Sequence, residues 1–330
     1  MKAMLLNAFG DAFTLGDMPE ATPGPGQVRI KVEASSVNPI DTKIRIGAVP
    51  AVSPELPGVL HGDVAGTIDA VGEGVSAFAV GDRVYGIAGG FKGTNGALAE
   101  TMVVNPELIA HMPKNLDFAE AAALPLVACT AWIALFEKAG LQAGDRLMVQ
   151  GGTGGVGHIA VQLAALAGAD VTATVSSDEK AEWALRMGAN HAIRYDQWDA
   201  VKAEAQARGD LGFDLVFDTP GGIGLDRSIE ACARRGTVVG IAGRNEHNLG
   251  LVHSMELTLK FAFLIGYFID PTRRQQDIGD MLAKIASFVD AGKLTPVIAE
   301  SFPMTQVNEA HARLERGGFM GKIVLTQDLA

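Results

Sequence analysis

Between Val28 and Glu33 the chain alternates: Val28, Ile30 and Val32 are apolar, and Arg29, Lys31 and Glu33 are charged. A period of two predicts a strand with one face buried and one in water. The segments 64–75 (VAGTIDAVGEGV) and 82–87 (DRVYGI) predict further short strands, separated by glycine turns. The opening MKAMLLNAFGDAF predicts a first strand. Its apolar block is too short for a secretory signal, and Asp11 interrupts it. Closely spaced strands punctuated by Gly and Pro predict a small, strongly bent sheet or partial barrel.

Near Phe118 the pattern changes. Short apolar segments at 147–150, 171–175, 191–193, 213–218 and 237–242 alternate with helical stretches. That alternation predicts an α/β, doubly wound parallel sheet with helices on both faces. Ser176-x-x-Glu179 reads as a capping box opening the helix after the second of these strands, and Gly188 closes it. Beyond Gly266 the period shifts again. Residues 277–292 predict an amphipathic helix, and 297–302 and 322–326 predict strands. The run 257–266, LTLKFAFLIG, predicts the last strand of the parallel sheet. Such an apolar edge needs a cover, and two-fold pairing with a second copy predicts a homodimer. The helix at 277–292 is the alternative cover.

At 330 residues the chain is long for one core, so two domains are expected. The 27 basic and 38 acidic residues leave a net charge of −11, which disfavours nucleic acid and anionic membrane as partners. Residues 147–169 contain no Asp, Glu, Lys or Arg, a length that raises the question of a membrane span. Gly151, Gly152, Gly154, Gly155 and Gly157 break any such helix in its first half, and a buried strand, turn and helix account for the run better. A soluble, cytoplasmic protein is expected. Cys129 and Cys232 lie far apart in apolar surroundings and read as buried thiols of a reducing compartment. Neither has the neighbours of a zinc site.

The glycines carry the first candidate chemistry. Gly152, Gly154 and Gly157 form G-x-G-x-x-G, with Thr153, Gly155 and Val156 filling the motif. In a dinucleotide site the three glycines permit a tight turn, close approach to pyrophosphate and close packing of helix on strand. The following helix offers unpaired N–H groups and positive dipole to phosphate. An ordinary glycine-rich turn is the plain alternative. The strand at 170–175, at βαβ distance, favours the dinucleotide.

That second strand ends in Ser176 and Ser177, where an NAD site places a carboxylate for the ribose 2′-hydroxyl. Hydroxyls accept a 2′-phosphate, and Lys180 supplies positive charge one turn on. Tyr195, after the third strand, packs at the adenine end. The cofactor predicted is NADPH. Asp178 and Glu179 run against this and must point away. A plain N-cap for Ser176 and a solvated side chain for Lys180 are the competing readings.

The ordered set SSVNPIDTKIR (35–45), HGDVAGTIDAVGEGVSAFAVGDRVYG (61–86), ALPLVACTAW (123–132), the glycine turn and GKIVL (321–325) resembles the medium-chain dehydrogenase/reductase superfamily. Within it the chain is similar to the zinc-independent NADPH:quinone oxidoreductase, zeta-crystallin-like group, over essentially its whole length. The resemblance implies a GroES-like, β-rich catalytic domain from residues 1–122 and 267–330. It implies a Rossmann NADPH-binding domain at 123–266, with the active cleft at their junction. The implied activity is hydride transfer to a quinone or an α,β-unsaturated carbonyl. The alternatives are an alcohol dehydrogenase or carbonyl reductase of the same superfamily, and a protein that binds NADPH without turnover.

The resemblance also implies roles. Asn38 and Asp41 lie near the nicotinamide ribose and Thr130 near the ring, as the catalytic set. Gly240, Ile241 and Ala242, with Phe263, Leu264 and Ile265, hold ribose and carboxamide, and Lys322 reaches the cofactor's phosphates. Asn38 and Asp41 flank Pro39 and read equally as plain turn residues. Zinc-dependent relatives carry Cys in place of Asn38 and Gly-His-Glu in place of His61-Gly62-Asp63. Their four-cysteine lobe has no counterpart here, so no metal is expected. Two tyrosines usual in the group are Lys43 and Val49 in this chain.

Overall fold

The alternating segment at 28–33 grows into a ten-residue strand that organises the first sheet. A computed structural model describes residues 1–207, 212–243 and 245–329. The first part comprises β1 (Lys2–Leu5), β2 (Thr14–Asp17), β3 (Val28–Val37), α1 (Pro39–Arg45), β4 (Asp63–Val71), β5 (Arg83–Ile87), β6 (Thr101–Val104) and β7 (Ile109–His111). The plain turn at Pro39 is a helix start instead. Asp41 accepts the Asn38 N–H at 2.8 Å, and Pro39 occupies the first helical position, where its missing N–H costs nothing.

Two helices follow, α2 (Phe118–Ala122) and α3 (Pro125–Trp132). Then come β8 (Arg146–Gln150), α4 (Gly155–Leu166), β9 (Asp170–Val175), α5 (Asp178–Arg186), β10 (His191–Arg194), α6 (Trp198–Ala207), β11 (Phe213–Asp218), α7 (Ile223–Ala231), β12 (Cys232–Gly240), α8 (Gly250–Ser254) and β13 (Thr258–Phe261). The chain finishes with α9 (Gly266–Ile269), α10 (Gln276–Asp290), β14 (Ile298–Pro303), α11 (Val307–Arg316) and β15 (Lys322–Thr326).

Two units divide the chain: Met1–Leu126 with Ile265–Ala330, and Val127–Leu264. In the first, the sheet runs β14-β15-β3-β4-β5-β7, with β6 also on β3. The final strand thus lies inside the sheet, antiparallel to β3, with Ile323 opposite Val37. That register sets Lys322 beside the Asn38 end of β3.

In the second unit all six strands are parallel, in the order β10-β9-β8-β11-β12-β13. The order reverses between β8 and β11, the doubly wound arrangement that opens a crevice at the carboxyl ends of those strands. The residues of β8 and β9 are buried almost throughout, which explains their continuous apolar reading. One core packs Met148, Val216 and Val238 of the sheet against Leu225 and Ile229 of α7. The uncharged run at 147–169 resolves into β8, the glycine turn and α4. Among the described residues, no helix is long and apolar enough to cross a membrane.

Candidate active site

The glycine turn lies at the carboxyl end of β8, and its glycines differ in what surrounds them. A Cβ on Gly157 would stand 2.1 Å from the Gly151 carbonyl oxygen, and one on Gly152 would stand 2.6 Å from the Ala173 Cβ. Those two are needed for closure of turn, helix and sheet. At Gly154 the nearest atom to such a Cβ is 3.4 Å away. Gly154 is the N-cap of α4, without a side chain to satisfy the first amides of that helix. An open N-cap glycine between two closed ones leaves the first amides of α4 without a side-chain cap, an arrangement able to receive an anion.

Next to this turn, at the end of β11, Asp218 accepts from the Gly221 amide at 2.9 Å and from Ser228 Oγ at 3.3 Å. Burial pushes its pKa up to about 6, against those hydrogen bonds. At the end of β9 the helix cap is Ser177, whose Oγ accepts from the Lys180 amide at 3.3 Å. The expected capping box on Ser176 is therefore corrected by one residue, and Ser176 is exposed. Only Ser176 satisfies the S-x-x-E pattern; Ser177 has Lys180 three residues on, so it caps the helix without a reciprocal glutamate bond.

The first unit holds a buried polar nest. Asp63 opens β4 with both oxygens occupied: Oδ2 accepts from Ser36 Oγ at 2.5 Å and Asn38 Nδ2 at 2.7 Å, and Oδ1 accepts from the Leu126 amide at 2.8 Å. Lys322 Nζ donates to Asn38 Oδ1 at 2.5 Å and to the Val37 carbonyl at 3.0 Å, and lies 3.7 Å from Asp63. The Asn38 amide is fixed at both ends, so its orientation is set before any ligand arrives. Two carboxylates share one ammonium here. Burial pushes Asp41 up to about 7, with the Asp63 charge adding to the rise and Asn38 and Lys322 opposing it. Burial also lowers Lys322, against the pull of Asp63 and Asp41.

His61 is not the solitary histidine its sequence position suggests. It is buried at φ 73°, a left-handed conformation rare outside glycine. Its Nδ1 lies 3.0 Å from the Ser36 carbonyl, and its Nε2 lies 2.8 Å from Nε2 of His311 on α11. The carbonyl requires Nδ1–H on His61, so His311 must donate between the rings. Burial drives His61 well below the usual histidine range and His311 down to about 3.

The family described as "Alcohol dehydrogenase GroES-like domain" matches residues 24–114, and "Zinc-binding dehydrogenase" matches 155–287. The quinone oxidoreductase of Rattus norvegicus is 30% identical over 331 residues, covering 98% of this chain and 97% of that one. The chain belongs to the quinone oxidoreductase-like group of the medium-chain dehydrogenase/reductase superfamily. It is an oxidoreductase. The 2-methylene-furan-3-one reductase of Solanum lycopersicum is 36% identical over 307 residues, 91% of this chain and 71% of that protein. The Escherichia coli quinone oxidoreductase, solved in complex with NADPH, matches with a TM-score of 0.88 at 26% identity, over 99% of this chain and 100% of that one.

In this quinone oxidoreductase-like chain, Asn38, Asp41 and Lys322 come together in the nest of the first unit, which also contains Ile265. Gly152–Gly157, Ser176, Ser177, Lys180, Tyr195 and Gly240–Ala242 all lie at or just after carboxyl ends of strands in the second unit. Thr130 is buried on α3, Leu264 is buried, and Phe263 is exposed just past β13. Lys43 is half-buried on α1, and Val49 is buried. Asp63 and the His61–His311 pair were missed as partners of this nest. Asp63 stands inside a quoted motif, but 250 residues separate the two histidines, and no local pattern links them.

Proposed function

We propose that this oxidoreductase uses NADPH to reduce a quinone or an α,β-unsaturated carbonyl, without zinc. The observation that carries the reading is the open Gly154 cradle at the β8–β11 crevice, together with hydroxyls rather than a carboxylate at the end of β9. When bound, the reduced nicotinamide supplies the hydride. In this reading residues 123–266 hold the dinucleotide and residues 1–122 with 267–330 present the substrate. Gly152–Gly157 take the pyrophosphate; Ser176, Ser177 and Lys180 take the 2′-phosphate; Tyr195 packs on the adenine. Gly240, Ile241, Ala242, Phe263, Leu264 and Ile265 face ribose and carboxamide. Asn38, Asp41 and Thr130 orient the nicotinamide end, and Lys322 holds the Asn38 amide in place.

The nest does not suit zinc. Asn38 offers an amide already bonded at both ends, and the Lys322 ammonium is already the cation beside Asp63. Zinc sites draw on thiolate, imidazole and carboxylate donors. The named relatives favour a quinone or enone as the acceptor, since one reduces quinones by name and another a methylene-furanone. Two buried thiols outside any disulfide accord with a cytoplasmic home, and the β13 edge accords with a homodimer.

The test is NADPH consumption across a panel of quinones, enones and enals, with metal content measured on the same preparation. Turnover that survives chelation is expected. Stoichiometric zinc with chelator-sensitive turnover overturns the metal-free reading, and absence of turnover with every acceptor overturns the enzyme assignment.

A further inference from the structure

Asp178 and Glu179 run against NADPH near the 2′-phosphate position, and the structure gives one of them, Asp178, a partner. β9 and β10 pair in parallel with Arg194 opposite Val175, so their carboxyl ends are level. Ser176 and Ser177 leave one strand where Tyr195 and Asp196 leave the other, and the Tyr195 amide donates to the Val175 carbonyl at 2.9 Å. Arg194 spans this end. Its Nε and Nη2 donate to the two Asp196 oxygens at 3.0 and 2.5 Å, and its Nη1 lies 3.5 Å from Asp178, the first residue of α5. Asp178 is thus drawn toward Arg194. Lys180 has no ion pair among the described residues.

We propose that Arg194 is the residue that selects NADPH over NADH, exchanging Asp178 for the 2′-phosphate. The proposal rests on the NADPH reading above. A phosphate monoester carries more charge than Asp178 and can accept from Arg194 Nη1, the arm that Asp196 does not hold, so it outcompetes a carboxylate at 3.5 Å. A ribose hydroxyl offers no such exchange, and NADH leaves the Arg194–Asp178 pair in place. Asp178 therefore acts as a stand-in anion that keeps Arg194 at the strand end, and as a competitor that NADPH must displace. Lys180, whose amide Ser177 caps, adds a second positive charge in the first turn of α5.

The experiment is a fluorescence or calorimetric titration of NADPH and NADH into the full chain, for wild type, Arg194→Ala, Arg194→Lys and Asp178→Asn. The readout is the ratio of the two dissociation constants. Wild type should prefer NADPH, and Arg194→Ala should reduce that preference about ten-fold or more, the loss of one charge-assisted contact. Arg194→Lys should fall between the two, which keeps the test sound should the alanine variant fold poorly. Asp178→Asn should raise the preference. A wild type without NADPH preference overturns the cofactor reading itself. A wild type that prefers NADPH, with a ratio unmoved by both Arg194 variants or lowered by Asp178→Asn, overturns the role of Arg194 alone.

Discussion

Gly154 and Gly157 lie three residues apart in one turn, but a methyl group meets different surroundings at each. Gly154→Ala has room, and its backbone angles suit any residue, so folding should cost about 1 kcal/mol or less. In the proposed NADPH site the methyl would nevertheless stand where the pyrophosphate approaches. The expected outcome is a near-native unfolding midpoint with NADPH affinity reduced ten-fold or more. Gly157→Ala drives the methyl into the Gly151 carbonyl, and should cost about 1–3 kcal/mol or more in urea unfolding. Equal destabilisation by both variants would contradict the division of labour.

The buried histidines and Asp41 set opposing pH dependences. Folding lowers His61 and His311, so their contribution is complete above 6.5 and is lost as pH falls below it, where the unfolded chain binds protons that the native state refuses. Folding raises Asp41 from 3.8 to about 7, so its contribution is complete below 3.8 and is lost as pH rises through that window. Asp218, raised to about 6, sides with Asp41, so between pH 4.5 and 6 two protons oppose two and urea midpoints should change little with pH. Removing one member unbalances the set: stability should fall with rising pH in His311→Asn and rise in Asp41→Asn, by up to about 1.4 kcal/mol per unit.

At the scale of elements, β13 is the sheet's exposed end. It spans only Thr258–Phe261, shorter than the apolar run 257–266 predicts, because the chain turns away after Ala262. Phe261 and Phe263 remain 42% and 46% exposed beside an unpaired strand edge. Light scattering should give a dimer mass at micromolar concentration, and Phe263→Glu should shift it toward monomer; a monomeric wild type would sink the edge-pairing idea. The parallel strands were legible because burial on both faces leaves continuous apolar runs, and their observed limits lie within a few residues of the reading at most ends. β12 is the exception, beginning at Cys232 through polar Arg234 and Arg235. Helix α1 was not legible, since Asn-Pro at its start serves a turn equally well. The nest was half legible: Asn38, Asp41 and Lys322 came from motifs, whereas Asp63, which accepts from Asn38 and faces Lys322, depends on the β3–β4 and β3–β15 registers.

On the scale of the whole molecule, the first unit is assembled from both parts of the chain, and β15 is an interior strand of its sheet. Deleting residues 321–330 would leave β14 without its neighbour and the Ala34–Val37 end of β3 without its partner strand, and would remove Lys322 from beside Asn38 and Asp63. The expected outcome is loss of soluble expression and of reductase activity, read by fractionation and NADPH oxidation; an active, soluble deletion would contradict it.

The same strand order imposes a schedule on the ribosome. Every strand of the parallel sheet has been synthesised once Phe261 is made, but the other sheet lacks an inner member until Thr326. At ~5–20 residues per second, that interval is roughly 3–13 s. Throughout it the Ala34–Val37 stretch of nascent β3 lacks its partner strand and the Asn38–Asp63 nest lacks its ammonium, until β15 supplies both.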